Sequence, residues 1–139
     1  MDEGQILSQL KTAPLFSRVP EKGLKAILRS ATEKKFEAGE RIVNEGDSGT
    51  GFYLILNGRA EVTRGEEKLA TLGEGAFFGE MALLDGAPRS ADVTAVEDSQ
   101  CLVLTPWTMR SVVSANPDVS LAMLEELARR LRETERTLS

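Results

Sequence analysis

The chain has 139 residues, of which 41% are hydrophobic and 28% are charged, and its net charge is −5. This length suits one folded domain, and no apolar run approaches the roughly 20 residues that a membrane span requires. The negative charge disfavours direct binding to nucleic acid, and the absence of histidine removes the commonest metal ligand and general base. Residues 1–10 show no secretory leader. We therefore expect a cytoplasmic protein without metal, cofactor, membrane partner or catalytic residues.

The first 30 residues predict two short amphipathic helices separated by Pro14. Apolar residues recur at helical spacing before this proline and again after Pro20, at Ile6, Leu7, Leu10, Leu24, Ile27 and Leu28. Neither helix contains residues that indicate a catalytic or binding role, so we interpret both as packing elements.

From about Ala31 to Leu104 the apolar residues recur at every second position in short runs, and glycines separate these runs. This pattern is typical of antiparallel strands with tight turns, and Asn57-Gly58 is a strong hairpin signal. We predict a mainly β fold, an eight-stranded antiparallel jelly-roll barrel at residues 31–104 with helices on both sides. The best strands are Arg41–Val43, Gly51–Leu56, Arg59–Thr63, Lys68–Leu72, Ser90–Ala95 and Gln100–Leu104.

The stretch from 77 to 91, FFGEMALLDGAPRSA, has the features of an anion site. Gly79 allows the backbone to approach a ligand closely. Glu80 starts a run of helix formers through Leu84, and the free N–H groups at the start of a helix attract anions.

The second half of this stretch predicts a turn from Asp85 to Pro88 that brings Arg89 and the N–H groups of Ser90 and Ala91 back toward the helix start. A guanidinium can hold two phosphate oxygens, and the carboxylate of Glu80 can accept a hydrogen bond from a neighbouring hydroxyl. This combination indicates a nucleotide. A simple ion pair between the two side chains across a surface turn is an equally good interpretation of the residue types alone.

The string FGEMALLDGAPRSA resembles the phosphate-binding cassette of cyclic-nucleotide-binding domains, the family of the catabolite activator protein and of the regulatory subunits of cyclic-AMP-dependent protein kinase. The resemblance continues over FEAGERIVNEGDSGTGFYLILNGRAEV at residues 36–62. It implies that Glu80 holds the ribose 2′-hydroxyl, that Arg89 holds the cyclic phosphate, and that backbone amides complete the anion site. The implied ligand-binding residues of the cassette are Gly79, Glu80, Met81, Ala82, Arg89, Ser90 and Ala91.

The last 35 residues predict two helices, because Thr105-Pro106 and Asn116-Pro117 each offer an N-cap followed by proline at the first helical position. In the second helix, a heptad seam is formed by Leu124, Leu127, Leu131, Thr134 and Leu138. The other faces carry charged residues, namely Glu125, Glu126, Arg129, Arg132, Glu133 and Arg136. The seam is explained either by packing on the barrel or by a homodimer through this helix.

The similarity to the catabolite activator protein extends to the run ARRL at residues 128–131 and aligns Thr134 with a threonine that contacts the base. In the catabolite activator protein, a serine next to that threonine reaches the nucleotide of the other subunit, and a helix-turn-helix follows. In this chain the corresponding residue is Glu135, and the helix-turn-helix is missing. The resemblance therefore implies a base contact from Thr134 but neither cross-subunit contact nor direct DNA binding.

These observations predict a non-enzymatic sensor, a single cyclic-nucleotide-binding domain over residues 1–139. The expected ligand is cyclic AMP, with cyclic GMP as a second candidate, and occupancy is expected to reach an effector protein through the C-terminal helices. The alternative is a family member that has lost its ligand and acts as an interaction domain, against which the intact Glu80 and Arg89 argue. A jelly-roll enzyme of the cupin type would need histidine ligands that the chain lacks.

Overall fold

A computed structural model describes residues 1–48 and 50–138 of the chain. Helices lie at both ends of the chain and a short one interrupts the strands. They are α1 (Glu3–Thr12), a 3₁₀ turn (Pro14–Phe16), α2 (Glu21–Ser30), α3 (Ala82–Asp85), α4 (Pro106–Ala115) and α5 (Pro117–Leu138). Among the described residues, no helix combines the length and the apolar character needed to cross a membrane.

Over the described residues, eight antiparallel strands form two four-stranded sheets with the orders β1-β8-β3-β6 and β2-β7-β4-β5. The strands are β1 (Thr32–Phe36), β2 (Arg41–Val43), β3 (Phe52–Asn57), β4 (Ala60–Arg64), β5 (Glu67–Leu72), β6 (Phe77–Phe78), β7 (Asp92–Ala95) and β8 (Ser99–Leu104). Side chains from both sheets share one apolar cluster, so the sheets pack face to face. The predicted jelly-roll fold with flanking helices is confirmed, although the two sheets stay separate hydrogen-bonded ladders and do not close into a continuous barrel.

Strand β3 explains how the helices dock on this fold. Phe52, Leu54 and Leu56 are buried under the helices, whereas Tyr53 and Ile55 are buried between the sheets. Because successive side chains of a strand point to opposite faces, one apolar run builds two cores. Strand β8 beside it repeats the pattern. The two central strands of this sheet, β8 and β3, are therefore covered on both faces.

The predicted hairpin at Asn57-Gly58 is wrong. It joins β3 and β4, which belong to different sheets, so the turn is a corner between sheets. The hairpin between β4 and β5 turns instead at Gly65-Glu66, because Arg64 pairs with Glu67. Strands β1 and β6 were not among the predicted runs, since β1 is a largely exposed, charged edge strand and β6 has only two residues.

The predicted helix starts in the C-terminal region are correct, but one cap works differently. Thr105 caps α4, since its Oγ1 accepts the N–H of Thr108 at 3.3 Å. The side-chain amide of Asn116 instead donates to the carbonyl of Val112 at 2.8 Å. It therefore satisfies an orphan carbonyl at the end of α4. Its own carbonyl accepts the N–H of Val119 in the first turn of α5 at 3.0 Å.

The face of α5 that packs on the jelly roll differs from the prediction. The buried residues of this helix are Val119, Ala122, Met123 and Glu126. Leu127, predicted in the heptad seam, packs partly buried against the same core, in agreement with the packing alternative for this residue. Glu126, predicted on a solvated face, is only 2% exposed. Charge made Glu126 look like a surface residue, but its carboxylate is held by Arg129 and Arg130 on the same helix and by Arg18 in the N-terminal segment.

Candidate functional site

The predicted cassette begins on β6, which pairs with β3. Phe78 lies opposite Tyr53, and their rings stack with centroids 4.9 Å apart and 3° between the planes. On the other face of the sheet, Phe77 stacks on Phe52 with centroids 5.8 Å apart. One ring on each side of the sheet therefore fixes the position of the first cassette residues.

Gly79 turns the chain out of β6 with a φ of +83°. A Cβ here would lie closer than van der Waals contact to the carbonyl oxygen of Gly51 and to the guanidinium nitrogens of Arg89. Both the left-handed backbone and the crowding favour glycine. The cassette helix α3 begins at Ala82, two residues later than the predicted start at Glu80, and has only one turn.

The turn that follows α3 returns the chain to the mouth of the jelly roll. Gly86 ends the helix with a φ of +65° and donates its N–H to the carbonyl of Ala82 at 2.9 Å. The N–H of Arg89 donates to the carbonyl of Asp47 at 2.8 Å, and its carbonyl accepts the N–H of Gly46 at 2.9 Å. Two backbone bonds thus tie the end of the cassette to Gly46-Asp47.

The guanidinium of Arg89 lies half-buried against the β3–β6 pair. Its Nε donates to Oγ1 of Thr50 at 2.5 Å, and its Nη2 donates to the carbonyl of Gly51. Its Cζ lies 5.9 Å from the ring centroid of Tyr53 and 5.8 Å from that of Phe78. Aromatic faces attract cations at this range. The stacked rings and two neutral oxygens therefore hold the guanidinium in place.

Among the described residues, no carboxylate lies within 4.0 Å of the guanidinium of Arg89 as an ion-pair partner. Burial lowers the pKa of Arg89, and the nearby Tyr53 and Asp47 oppose that shift. Arginine nonetheless stays protonated and has five N–H donors. The site therefore holds a partly desolvated cation with donors to spare, which favours binding of an anion.

The carboxylate of Glu80 is held by two other parts of the chain. Its Oε1 accepts the backbone N–H of Leu15 at 2.6 Å and Nη2 of Arg130, on α5, also at 2.6 Å. The side chain is 11% exposed, and Oε2 accepts no hydrogen bond from the described residues. The alternative of a Glu80–Arg89 ion pair is therefore contradicted, since each side chain has different partners.

A cavity of about 390 Å³ lies within the cassette and is lined by Gly79, Glu80, Met81, Ala82, Asp85, Ala87, Pro88, Arg89 and Ser90. A second cavity of about 150 Å³ adjoins it at Gly79, Arg89 and Ser90 and extends to Ala91. The N–H groups of Glu80, Ala82 and Ser90 form no hydrogen bond with the described residues. An acceptor in the larger cavity would find donors on its walls.

The structure thus places the seven predicted cassette residues around two adjoining cavities. Thr134 lies apart on α5, exposed, and its hydroxyl donates to the carbonyl of Arg130 at 3.1 Å. Sequence analysis missed Arg130 itself, which connects α5 to the cassette. The matching run ARRL and the helical spacing from 130 to 134 were the signals that pointed to this position.

The chain is similar in sequence to known proteins. The family model described as "Cyclic nucleotide-binding domain" matches residues 33–116, which include the cassette. The "Cyclic AMP receptor protein" of Thermus thermophilus is 35% identical over 131 residues, 91% of this chain and 61% of that protein. The "cAMP-dependent protein kinase regulatory subunit" of Yarrowia lipolytica is 35% identical over 99 residues, 71% of this chain and 26% of that protein. The chain therefore spans less than two thirds of either relative.

Solved structures show the same similarity. The N-terminal domain of a transcriptional regulator from Streptomyces coelicolor A3(2) has a TM-score of 0.85 and 28% identity, covering 94% of this chain and 95% of that one. The regulatory domain of Toxoplasma gondii PKA, crystallised with cAMP, has a TM-score of 0.71 and 33% identity, covering 81% of this chain and 46% of that one.

Proposed function

Because this chain belongs to the cyclic nucleotide-binding domain family, we propose that it is a non-enzymatic sensor that binds cyclic AMP and passes its occupancy to an effector protein through its C-terminal helices. The matched relatives are named as a receptor and as a kinase regulatory subunit, and one structural neighbour was crystallised with cAMP. In this proposal residues 1–139 act as one cyclic-nucleotide-binding domain.

One observation carries the proposal. Within the part of the chain that the structure describes, an arginine cation without a carboxylate partner and a carboxylate with one open oxygen line the same cavity of about 390 Å³. A cyclic nucleotide has a phosphate diester and a ribose 2′-hydroxyl close together, and these groups complement the two side chains. The guanidinium of Arg89 and the free N–H groups of Glu80, Ala82 and Ser90 would hold the phosphate. Oε2 of Glu80 would accept the hydroxyl.

The connection between Glu80 and Arg130 supports signalling through α5. A ligand shifts a conformational equilibrium only if it interacts differently with the two states. The 2.6 Å ion pair joins the ribose-binding carboxylate to α5 directly. A nucleotide that binds Glu80 while Arg130 holds Oε1 therefore favours the position of α5 in which Arg130 reaches Glu80.

The proposed base contact comes from Thr134. It lies one turn beyond Arg130, about 6 Å further along α5. Its hydroxyl can accept a hydrogen bond from the adenine 6-amino group, whereas guanine has a carbonyl there. Since a hydroxyl can also donate a hydrogen bond to the guanine carbonyl, discrimination between the two bases should be modest. We expect cyclic AMP to bind about tenfold more tightly than cyclic GMP, the effect of one hydrogen bond. Equal affinities or the reverse order would contradict this contact.

Calorimetry with cyclic AMP tests the proposal through Arg89. Arg89→Ala should weaken binding about 100-fold or more, because charged hydrogen bonds to the phosphate are lost in a partly dry site. Arg89→Lys should restore little, since a point charge cannot reproduce the two-pronged contact. Arg59→Ala is the matched control, because this exposed arginine pairs with Glu97 away from the cassette.

Two outcomes would oppose the proposal. Wild-type affinity in Arg89→Ala would contradict the phosphate assignment. A folded wild-type chain that binds neither cyclic AMP nor cyclic GMP would favour the alternative, an interaction domain that has lost its ligand.

We further propose a homodimer through α5, with a seam revised by the structure. Leu127 packs against its own core, whereas Leu121, Leu124, Leu131 and Leu138 are 58%, 61%, 61% and 82% exposed. The last three repeat every seven residues, which is the spacing of a coiled-coil stripe. They lie on the face of α5 opposite Glu126. A second copy of the same helix is the simplest cover for this stripe.

A further inference from the structure

Glu126 is the one charged side chain that is buried among the described residues, at 2% exposed. Three arginines hold its carboxylate. Arg129 donates twice, from Nη2 at 2.7 Å and from Nε at 3.0 Å. Arg130 donates from Nε at 3.2 Å, and Arg18 donates from Nε at 3.4 Å. These hydrogen bonds lower the pKa of Glu126 to about 2, and the bond from Arg129 contributes most. Burial opposes the shift. The carboxylate is therefore charged at neutral pH.

The packing of α5 alone does not explain a carboxylate at this position. The other buried residues of the helix are apolar, namely Val119, Ala122 and Met123. Replacing both partners of a buried ion pair by well-packed apolar residues is often neutral or stabilising, because burial of charge carries a large desolvation cost. A buried carboxylate that contacts Arg130, the residue that holds Glu80, indicates a role at the binding site.

We propose that Glu126 is a positioning residue for ribose recognition, which holds Arg130 on Oε1 of Glu80 and so leaves Oε2 oriented to accept the 2′-hydroxyl of a cyclic nucleotide. This inference rests on the proposed function and deepens it. The proposal assigns to α5 a second contribution to the site, separate from the base contact of Thr134.

The geometry of Arg130 supports this role. Its planar guanidinium is held at three points, with Nε on Glu126 at 3.2 Å, Nη2 on Glu80 at 2.6 Å and Nη1 on the sulfur of Met81 at 3.1 Å. A flat, rigid group fixed at both ends cannot rotate freely about its last bonds. Oε1 of Glu80 is in turn held between Arg130 and the N–H of Leu15. The conformational entropy of ordering Glu80 is therefore lost on folding and not on ligand binding.

Glu126 also connects the site to the N-terminal segment. Leu15 contacts Glu80, while Arg18, three residues later, contacts Glu126. The bonds form a closed ring through the N-terminal segment, the cassette and α5. Loss of Glu126 opens the ring at two places, at Arg18 and at Arg130. We therefore expect loss of Glu126 to weaken recognition of the ribose 2′-hydroxyl, because Glu80 is the member of the ring that would contact the ligand.

Affinities for cyclic AMP and 2′-deoxy cyclic AMP, measured by calorimetry, test the proposal. Glu126→Gln removes the charge, and Glu126→Met removes the carboxylate without leaving a buried polar group. In both variants the preference for cyclic AMP over the deoxy analogue should fall about fivefold, because only the 2′-hydroxyl contact is weakened. Glu133→Gln is the matched control. It removes the 3.0 Å ion pair with Arg129 on the same helix but touches neither Arg130 nor Glu80, and should keep the wild-type preference.

A double-mutant cycle tests whether Glu126 acts through Arg130. Arg130→Gln should lower the ribose preference to the same extent as Glu126→Gln, and the double variant should show no further loss. If the double variant instead lost the product of the two single fold-changes in ribose preference, the proposal would be overturned. A wild-type preference in a folded Glu126→Met chain would also overturn it, as would failure of both Glu126 variants to fold, which would make the residue purely structural.

The same measurements separate this inference from the proposed function. If the wild-type chain binds no cyclic AMP, both fail. If it binds cyclic AMP in preference to the deoxy analogue and the Glu126 variants do the same, only the role of Glu126 fails.

Discussion

Replacing Gly79 by alanine should disturb both folding and binding. Its φ is +83°, and a Cβ there would collide with the carbonyl of Gly51 and with the guanidinium of Arg89. Gly39 has a φ of +90° with nothing within 4 Å of the added Cβ. Both substitutions carry the strain of a left-handed backbone, about 1–2 kcal/mol. Only Gly79→Ala adds overpacking, about 1–3 kcal/mol. The difference between the two variants therefore measures the collision.

Thermal unfolding of the two variants gives this difference. For a chain of this length, about 4 °C of Tm corresponds to 1 kcal/mol, so Gly79→Ala should melt about 4–12 °C below Gly39→Ala. Calorimetry should also show that Gly79→Ala loses cyclic AMP affinity, because Arg89 must move, while Gly39→Ala binds like the wild type. Equal melting temperatures and equal affinities for the two variants would refute the reasoning.

Three further predictions follow from the side-chain contacts. If Glu80 accepts the ribose hydroxyl, 2′-deoxy cyclic AMP should bind about tenfold more weakly than cyclic AMP to the wild type and no more weakly to Glu80→Ala; additive effects in calorimetry would exclude the contact. Leu124→Glu with Leu131→Glu should give a folded monomer because both side chains are 61% exposed; light scattering that finds the wild type monomeric with and without cyclic AMP would rule out the dimer. Because the pKa of Glu126 falls from its ordinary 4.5 to about 2, its stabilisation is complete above pH 4.5 and is lost as the pH falls toward 2. The free energy of unfolding should therefore fall more steeply with acid in the wild type than in Glu126→Gln, and equal slopes would contradict this.

Several features of the site were predictable because their signals are local. Gly79, the turn from Asp85 to Pro88 and the start of α4 at Pro106 each follow from the conformational preferences of a few adjacent residues. These local preferences predicted the turns of the cassette, whereas its interpretation as a nucleotide site came from the resemblance to a family. The hairpin prediction at Asn57-Gly58 failed because a local signal does not determine strand pairing. A turn signal reports that the chain reverses, but not whether the strands on either side pair with each other.

The tertiary structure decided which side chains meet. Arg130 is 50 residues from Glu80, and Leu15 is 65 residues from it. Their contacts exist only because α5, the N-terminal segment and the sheet that carries the cassette share one apolar core. Helical periodicity shows which residues of α5 share a face, but not what that face touches. The burial of Glu126 and the partial burial of Leu127, while Leu124 and Leu131 stay exposed, therefore depend on packing between distant segments, which no local pattern encodes.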